Sequence, residues 1–307
     1  MYFPYFRGRQ YELLALKELA QGELLSKSVI PVVEPIKLSS TFTTTIKVFN
    51  EKSLQLALIL NPAVGELSGD SSVAPLFDAV SSYIVPAVIL GKETSETLHQ
   101  LDSKGILKSR AVAVLTNRDY LDTYKTLWAD VPPKFTLFPD DRQLRRTVTQ
   151  NKVLFEDKFN KQEKNADYRK QEDEFFSEDH LYFREERYVG FGDYSIIGNE
   201  YVEGGFAPYA VAIHIVYFDA DDNLRIRHFT SDSNEDISDV AGKFQEAVIK
   251  LARWYSDGQR RQLTAALNTL LSHAKNGYYP GLPTIKKLSI MHHLELMGRY
   301  LDGGMEK

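Results

Sequence analysis

Carboxylate, tyrosine and histidine side chains that could do chemistry are concentrated in one stretch, GFGDYSIIGNEYVEGGFAPYAVAIHI (190–215). Asp193, Glu203 and His214 could form an acid–base group or bind a metal ion, because carboxylate and imidazole serve both purposes. Tyr194 adds a phenolic hydroxyl to these candidate catalytic residues. The structural alternative is a turn shaped by glycine, together with a core histidine satisfied by a hydrogen bond.

A second histidine, His228, lies in the segment LRIRHFTSD (224–232). This segment and residues 209–218 flank the turn-forming cluster DADDN, which predicts an antiparallel hairpin. His228 would then face His214, and with Asp193 the pair could bind a divalent metal such as Zn²⁺ or Mn²⁺. The ligand spacing matches no recognised metal motif.

Polar residues also follow the apolar runs of the chain. If these runs are parallel strands of one barrel, their carboxyl ends meet at one rim, where such folds bind ligands. A rim of carboxylates with Lys, Arg and Asn could bind an anionic or polyhydroxylated ligand, or hold a hard cation. Strands also end in polar residues for purely structural reasons. The candidate rim residues are Glu34, Lys37, Asn61, Lys92, Asn117, Arg118, Asp119, Asp140, Asp141, Arg142, Glu156, Asp157, Lys158, Asp193 and Tyr194.

Glu34 differs from the other rim candidates because it interrupts an apolar run, VIPVVEPIK (29–37). A carboxylate in that position is partly buried and needs a partner. It could be an acid, a base or a ligand, or it could form an ion pair with a Lys or Arg of the rim.

Several catalytic classes are excluded by the sequence. There is no cysteine, no GxSxG or HExxH motif, and no glycine-rich phosphate loop of the GxGxxG or Walker type. Two basic clusters, RQLRR (142–146) and the arginine pair at 260–261, could contact phosphates or could be solvated helix faces.

The elements that position these residues follow an α/β pattern. Continuous apolar runs alternate with helical patterns, which indicates parallel strands covered on both faces. Eight such runs predict an irregular (β/α)8, TIM-barrel-like fold, and an open doubly wound sheet is the alternative. The predicted strands lie within residues 29–37, 54–62, 83–92, 110–119, 134–141, 152–157, 188–198 and 209–218.

The later part of the chain predicts additions to this barrel. Residues 159–187 are dense in both charge signs and carry aromatic residues, which is typical of an exposed helical excursion or lid. Three amphipathic helices follow residue 235, the second ended by Gly277. We therefore expect a barrel-like domain over 1–235 with the insertion, and C-terminal helices over 236–307 packed on the barrel.

The composition bears on whether the chain binds nucleic acid or a membrane. The 307 residues carry 37 basic and 42 acidic side chains, a net charge of -5, which disfavours a large nucleic-acid surface without excluding a local one. No apolar run reaches the ~18 residues of a membrane span, and no signal peptide is recognised. The lack of cysteine fits a reducing compartment, so a cytoplasmic location without a membrane partner is expected.

The order of motifs resembles the bacterial beta-family proteins, a poorly characterised group. The similarity is carried by YFPYFRGRQYELLALKEL, IPVVEPIK, GFGDYSIIG and GGFAPYAVAIHIVY. The resemblance implies a barrel-like α/β fold and frequent occurrence beside a small nuclease gene in defence-type islands. It supplies no catalytic residues, but Arg7, Glu34, Asp193 and Tyr194 lie inside the resembling motifs.

Three functions are compatible with these observations. The first is a binding or sensor component that acts with a partner protein, such as a nuclease, in anti-phage defence. The second is a metal-assisted barrel hydrolase or phosphodiesterase that uses rim carboxylates and His214. The third, a nucleic-acid-binding protein, is least favoured by the net charge. The sequence leaves open whether the protein is an enzyme.

Overall fold

The computed structural model describes residues 1–69, 73–204, 208–258 and 262–303. The arginine pair at 260–261 and residues 205–207 of the GGFAPYAV motif therefore lie outside the described residues. Within the described ranges, no helix is both long enough and apolar enough to cross a membrane.

The chain divides into two compact units. The barrel unit contains residues 1–157 and 182–194, and the second unit contains residues 158–181 and 195–307. The boundary at 235/236 suggested by the sequence thus falls inside the second unit.

The barrel unit has eight parallel strands in one nearly closed sheet, which confirms the TIM-barrel-like class. Sequential strands are neighbours throughout, as expected for consecutive βα units. The strands are β1 (Tyr5–Phe6), β2 (Val32–Val33), β3 (Leu56–Ile59), β4 (Ile84–Ile89), β5 (Val112–Val114), β6 (Phe135–Phe138), β7 (Lys152–Phe155) and β9 (Gly190–Gly192). The intervening β8 (Asp173–Ser177) belongs to the second unit.

The identity of one barrel strand differs from the prediction. Residues 209–218 do not join the barrel, and the eighth strand is instead the two-residue β1 near the N-terminus. This segment closes the sheet, because the Phe3 amide donates to the Phe191 carbonyl oxygen at 2.8 Å. The Tyr5 amide likewise donates to the carbonyl oxygen of Asp193 at 2.8 Å.

The barrel interior is filled by alternate residues of the strands, including Phe3, Tyr5 and Phe155. Gly190 and Gly192 provide the space for these rings. A Cβ atom on Gly190 would lie 2.7 Å from the Phe3 ring, and one on Gly192 would overlap the Phe3 carbonyl oxygen. The GFG sequence of β9 is therefore a packing requirement of the barrel.

Helices connect the strands of the barrel unit as predicted for βα units. In α1 the buried residues Leu13, Leu16 and Leu19 recur at helical spacing and form the face that packs inward. Ser39 caps α2 by accepting a 3.1 Å hydrogen bond from the Phe42 amide. The helices are α1 (Gln10–Gln21), α2 (Ser40–Glu51), α3 (Ala74–Asp78), α4 (Thr94–Ser103), α5 (Leu121–Leu127) and α6 (Arg142–Thr147). The short α7 (Asp179–Tyr182) crosses the boundary along the chain, since its first three residues belong to the second unit.

The second unit is built on a three-stranded antiparallel sheet in the order β10-β11-β8, with β10 (Ala212–Phe218), β11 (Leu224–Thr230) and β8 (Asp173–Ser177). The predicted hairpin is confirmed, and His214 is directly opposite His228 in its register. The charged segment 159–187, which the sequence predicts to be an exposed helical excursion or lid, is only partly helical, at Asn165–Lys170 and in α7. Alternate residues of β8, Glu174 and Phe176, are buried, so the segment contributes a strand to this sheet.

Three helices complete the second unit: α8 (Val240–Asp257), α9 (Ala265–Asn276) and α10 (Leu282–Leu301). Gly277 ends α9 in the left-handed region at φ 64°, as predicted. Both α8 and α10 pack on the antiparallel sheet. The Phe229 ring lies 5.4 Å from Trp254 of α8, and the Phe218 ring stacks on Tyr300 of α10 at 4.7 Å.

Candidate functional site

Glu34 is the centre of a polar cluster at the carboxyl ends of the barrel strands. It lies one residue past β2, where the alternation that buries Ile30 and Val32 in the interior also directs Glu34 inward. Its side chain is fully buried. The Ala63 amide donates to Oε1 at 2.7 Å. On the other oxygen, Oε2 accepts a 2.8 Å hydrogen bond from the Tyr5 hydroxyl.

Arg7 forms an ion pair with the same Oε2 atom of Glu34. Its guanidinium carbon lies 5.2 Å from the Tyr5 ring centre and 5.8 Å from that of Tyr194, within cation–π range. The Arg7 side chain is 16% exposed, so its charge is held by the barrel yet remains in contact with solvent. We call Tyr5, Arg7, Glu34 and Tyr194 the Arg7 cluster.

Tyr194 closes one side of the Arg7 cluster. Its ring lies 5.2 Å from the Tyr5 ring and 4.9 Å from the Phe155 ring. Burial raises the pKa of the Tyr194 hydroxyl to about 12, and burial together with the Glu34 carboxylate raises the pKa of Tyr5 well above its usual value. Both phenols therefore remain protonated hydrogen-bond donors at neutral pH.

The side chains of Tyr194 and its neighbour Asp193 point to opposite faces of the barrel sheet. Residues 190, 192 and 194 alternate toward the interior, whereas Asp193 points outward and accepts a 2.7 Å hydrogen bond from the Tyr2 hydroxyl. Tyr2 also stacks on the outward Phe191 ring at 5.3 Å. Asp193 is thus buried in the outer layer of the barrel and is not a member of the Arg7 cluster.

The predicted group of Asp193, Glu203 and His214 is not contained in one unit, because Asp193 belongs to the barrel unit and the other two residues belong to the second unit. Glu203 is exposed and accepts a hydrogen bond from the Tyr201 hydroxyl at 2.9 Å, and His214 belongs to the β10–β11 hairpin of the second unit. Over the described ranges, no three or more His, Asp or Glu side chains are placed to hold a metal ion.

His214 and His228 instead form a hydrogen-bonded relay with Glu174. The two Nδ1 atoms lie 2.7 Å apart, and Nε2 of His228 lies 3.0 Å from Oε1 of Glu174. Two nitrogen ligands at about 2.0–2.1 Å from one tetrahedral zinc would be more than 3 Å apart, so the 2.7 Å separation leaves no room for a shared metal. Burial lowers the pKa of both imidazoles, which are therefore neutral at neutral pH.

Several other rim candidates form local contacts, although the Asp157 carboxylate is close enough to Tyr194 to raise the pKa of its hydroxyl. Glu156 accepts a 2.9 Å hydrogen bond from the backbone amide of Asp140, whose carboxylate pairs with Arg145 at 3.1 Å. Arg118 is exposed and forms an ion pair with Asp141, the residue that caps α6. Lys37 and Asn117 are exposed, and Asn117 accepts from the Asp119 amide at 2.9 Å in a turn. These contacts shape loops and helix ends.

The barrel unit also contains an open cleft of about 520 Å³ beyond β3 and β4. Among the predicted rim residues it includes Asn61, whose side-chain amide bridges to the Ile89 backbone with bonds of 2.8 and 2.9 Å. None of the Arg7 cluster residues lines this cleft. The polar residues that line it include Glu93, Glu96 and Lys104.

Two important residues were not anticipated from the sequence. Tyr5 lies in a two-residue strand that has no recognisable periodicity, and Glu174 lies in a segment dominated by charge. The only signal for Glu174 is the short alternation of Glu174 and Phe176 with the polar or exposed residues between them.

No protein-family model, no curated protein and no solved structure matches this chain. The assignment of functional residues therefore depends on the geometry of the described residues. Two groups are distinguished by that geometry: the Arg7 cluster of the barrel unit, and the relay formed by Glu174, His228 and His214 in the second unit.

Proposed function

We propose that this chain is a beta-family protein that acts as the binding or sensor component of a bacterial anti-phage defence-type system, together with a partner protein that carries a nuclease activity. In this proposal the Arg7 cluster is the ligand-binding site of the barrel, and its ligand is an anion.

One observation carries this proposal: residues from three separate resembling motifs meet in the Arg7 cluster. Arg7 and Tyr5 come from YFPYFRGRQYE, Glu34 from IPVVEPIK, and Tyr194 from GFGDYSIIG. They meet at the carboxyl ends of parallel strands, which is where barrel folds bind ligands. This convergence supports a common ligand site for the three motifs.

The chemistry of the cluster favours binding over catalysis. Both oxygens of Glu34 are already used by donors, so this carboxylate is suited to fixing Arg7. A guanidinium fixed between two aromatic rings presents a planar set of donors, which suits recognition of a carboxylate or a phosphate.

A partner protein is supported by the edge of the antiparallel sheet. β8 pairs only with β11 among the described strands, so its other edge has no strand beside it there. Phe175 of β8 is 52% exposed. An open strand edge with an exposed aromatic side chain is a common means of pairing with another chain.

The metal-assisted hydrolase is less well supported. That reading requires rim carboxylates and His214 to act on one metal, but Glu34 and Glu156 are held by separate backbone and side-chain donors. Nδ1 of His214 already lies within hydrogen-bond distance, 2.7 Å, of Nδ1 of His228.

The test is a phage challenge of cells that carry the chain alone, its neighbouring gene alone, or both. The proposal predicts that only the pair lowers the efficiency of plating, and that the purified chain alone cleaves neither DNA nor phosphodiester substrates. Arg7→Lys keeps the charge and loses the planar donors, so protection should be lost while the melting temperature is retained. Arg118→Lys at the exposed Asp141 pair is the matched control.

Protection by the chain alone, or turnover of DNA by the purified chain, would contradict the proposal. Full protection by folded Arg7→Lys would show that the Arg7 cluster is not the ligand-binding site of the proposed function.

A further inference from the structure

The second unit contains a cleft of about 440 Å³ that has no part in the proposed function. This volume is within the usual range for small-molecule sites. The wall combines an apolar part with amides, two lysines and one imidazole. The residues that line it include Lys161, Tyr168, His214 and Lys286, with Ile196 and Ile285 in the apolar part.

The relay behind this cleft determines which nitrogen of His214 carries a proton. Oε1 of Glu174 lies 3.0 Å from Nε2 of His228, and Oε2 accepts a 3.1 Å hydrogen bond from the Asn160 amide. The carboxylate only accepts, so Nε2 of His228 carries its proton and Nδ1 of that neutral ring is an acceptor.

His214 must therefore donate through Nδ1 across the 2.7 Å contact with His228. In a neutral ring this leaves a lone pair on the other nitrogen, Nε2. No described protein atom forms a hydrogen bond with Nε2, and His214 lines the cleft. The Tyr168 ring, 4.6 Å from His214 and 4.5 Å from His228, packs on both imidazoles and holds them in place.

Two cations accompany this acceptor. Lys161 and Lys286 both line the cleft, and Lys161 also pairs with Glu200 at 2.9 Å. Burial, the neighbouring His228 and the charge of Lys286 together lower the pKa of His214 well below its usual value. The ring is therefore an uncharged acceptor beside a positive charge.

We propose that this cleft binds a small phosphate monoester in its singly protonated form. The phosphate oxygens would lie toward Lys286 and Lys161, the P–OH group would donate to Nε2 of His214, and the organic part would contact the apolar wall. A phosphate monoester combines a negative charge with an O–H donor in its monoanion, which predominates below its second pKa of about 6.

The experiment compares phenyl phosphate with phenyl sulfate by isothermal titration calorimetry at about pH 5.5, where phenyl phosphate is mostly the monoanion. The two probes then have the same charge and nearly the same shape, and only phenyl phosphate carries an acidic O–H. We expect phenyl phosphate to bind roughly five- to tenfold more tightly, the value of one hydrogen bond.

Three variants test whether the relay causes the preference for phenyl phosphate over phenyl sulfate. His214→Phe should remove the preference for phosphate, and Lys286→Ala should weaken both probes by a similar factor while keeping their ratio. Glu174→Gln should reduce the preference, because an amide no longer fixes the tautomer of His228. Asp173→Asn is the matched control, since Asp173 is the neighbouring carboxylate of β8 and pairs with Arg225 at 2.7 Å.

The ¹⁵N chemical shifts of the imidazoles give an independent readout that a merely structural role of Glu174 would not move. They should report a protonated Nδ1 and an unprotonated Nε2 on His214 in the wild type, and a mixture of tautomers in Glu174→Gln. Equal affinity for the two probes, or an unchanged ratio in folded Glu174→Gln, would overturn the proposal. Tighter binding of inorganic phosphate than of phenyl phosphate would overturn the assignment to a monoester.

Discussion

The hydroxyl of Tyr5 donates a 2.8 Å hydrogen bond to Oε2 of Glu34, the same oxygen that pairs with Arg7. A single buried carboxylate oxygen thus joins the strand that closes the barrel to the strand beside it. The position of the Arg7 guanidinium at the mouth of the barrel depends on this carboxylate oxygen.

Replacing Glu34 by Gln keeps the shape of the side chain and removes the charge opposite Arg7. We expect a loss of about 3 kcal/mol in the free energy of unfolding of the barrel unit, because a mostly buried guanidinium then lacks its counter-charge. This loss is measured by urea denaturation in a chain that also carries Trp254→Phe, so that the fluorescence comes from Trp128 of the barrel unit.

The control for that substitution is Glu51→Gln. Glu51 pairs with Lys47 at 3.7 Å on an exposed helix face, so its replacement should cost less than about 0.5 kcal/mol. Equal losses in the two variants would show that the buried pair has no special part in stability.

Gly192→Ala should prevent normal closure of the barrel. The new methyl group would overlap the Phe3 carbonyl oxygen and lie 3.1 Å from the Phe155 ring, both of which are held in the packed interior. We expect a loss of at least about 3 kcal/mol or a failure to fold, measured by thermal denaturation with circular dichroism. Gly91→Ala is the control, because its nearest atom would be 3.9 Å away and little change is expected. Similar melting temperatures for the two variants would contradict the close approach of β1 and β9.

The stability of the second unit should fall in mild acid. Burial lowers the pKa of His292 to about 4 and that of His293 to about 3, against about 6.5 in an unfolded chain. Below about pH 6.5 the unfolded state binds protons that the folded state does not. As the pH falls from about 6.5 toward the folded pKa of each histidine, the free energy of unfolding decreases by roughly 1.4 kcal/mol per pH unit for that histidine. Above about pH 6.5 this contribution to stability is fully present.

His293→Gln tests the sign and size of this effect. Glutamine does not titrate and can still reach Ser195, whose Oγ lies 3.0 Å from Nδ1 of His293. Urea denaturation from about pH 7 to pH 4, followed by Trp254 fluorescence in Trp128→Phe, should give a shallower loss of stability in this variant. An identical pH dependence would mean that His293 is not excluded from protonation in the folded unit.

Thr264 has two roles that one substitution removes together. Its Oγ1 caps α9 by accepting from the Leu267 amide at 3.1 Å, and its hydroxyl donates to Nδ1 of His292 at 2.8 Å. Thr264→Ala should therefore cost about 2 kcal/mol, the sum of a helix cap and a buried hydrogen bond. Thr264→Ser keeps the hydroxyl and should cost less than about 1 kcal/mol. If both variants lose the same stability in urea, the methyl group rather than the hydroxyl is responsible.

Local patterns in the sequence determined most of the elements. Continuous apolar runs predicted seven barrel strands, because strands covered on both faces need apolar residues at every position. Amphipathic spacing predicted α1 and the three C-terminal helices, and the turn cluster DADDN predicted the hairpin that brings His214 opposite His228. These signals act within a few residues of each other, so they can be read without the rest of the chain.

Only the tertiary structure decided what those elements bring together. The strand β1 is two residues long and pairs with β2. The sheet is closed by hydrogen bonds from Phe3 and Tyr5 to Phe191 and Asp193, which lie more than 180 positions later. Glu174 meets His228 across 54 positions, in a segment whose charge indicated exposure. Asp193 and Tyr194 are adjacent in sequence and lie on opposite faces of one sheet. Such contacts are selected by the free energy of the whole packed unit, and no local pattern encodes them.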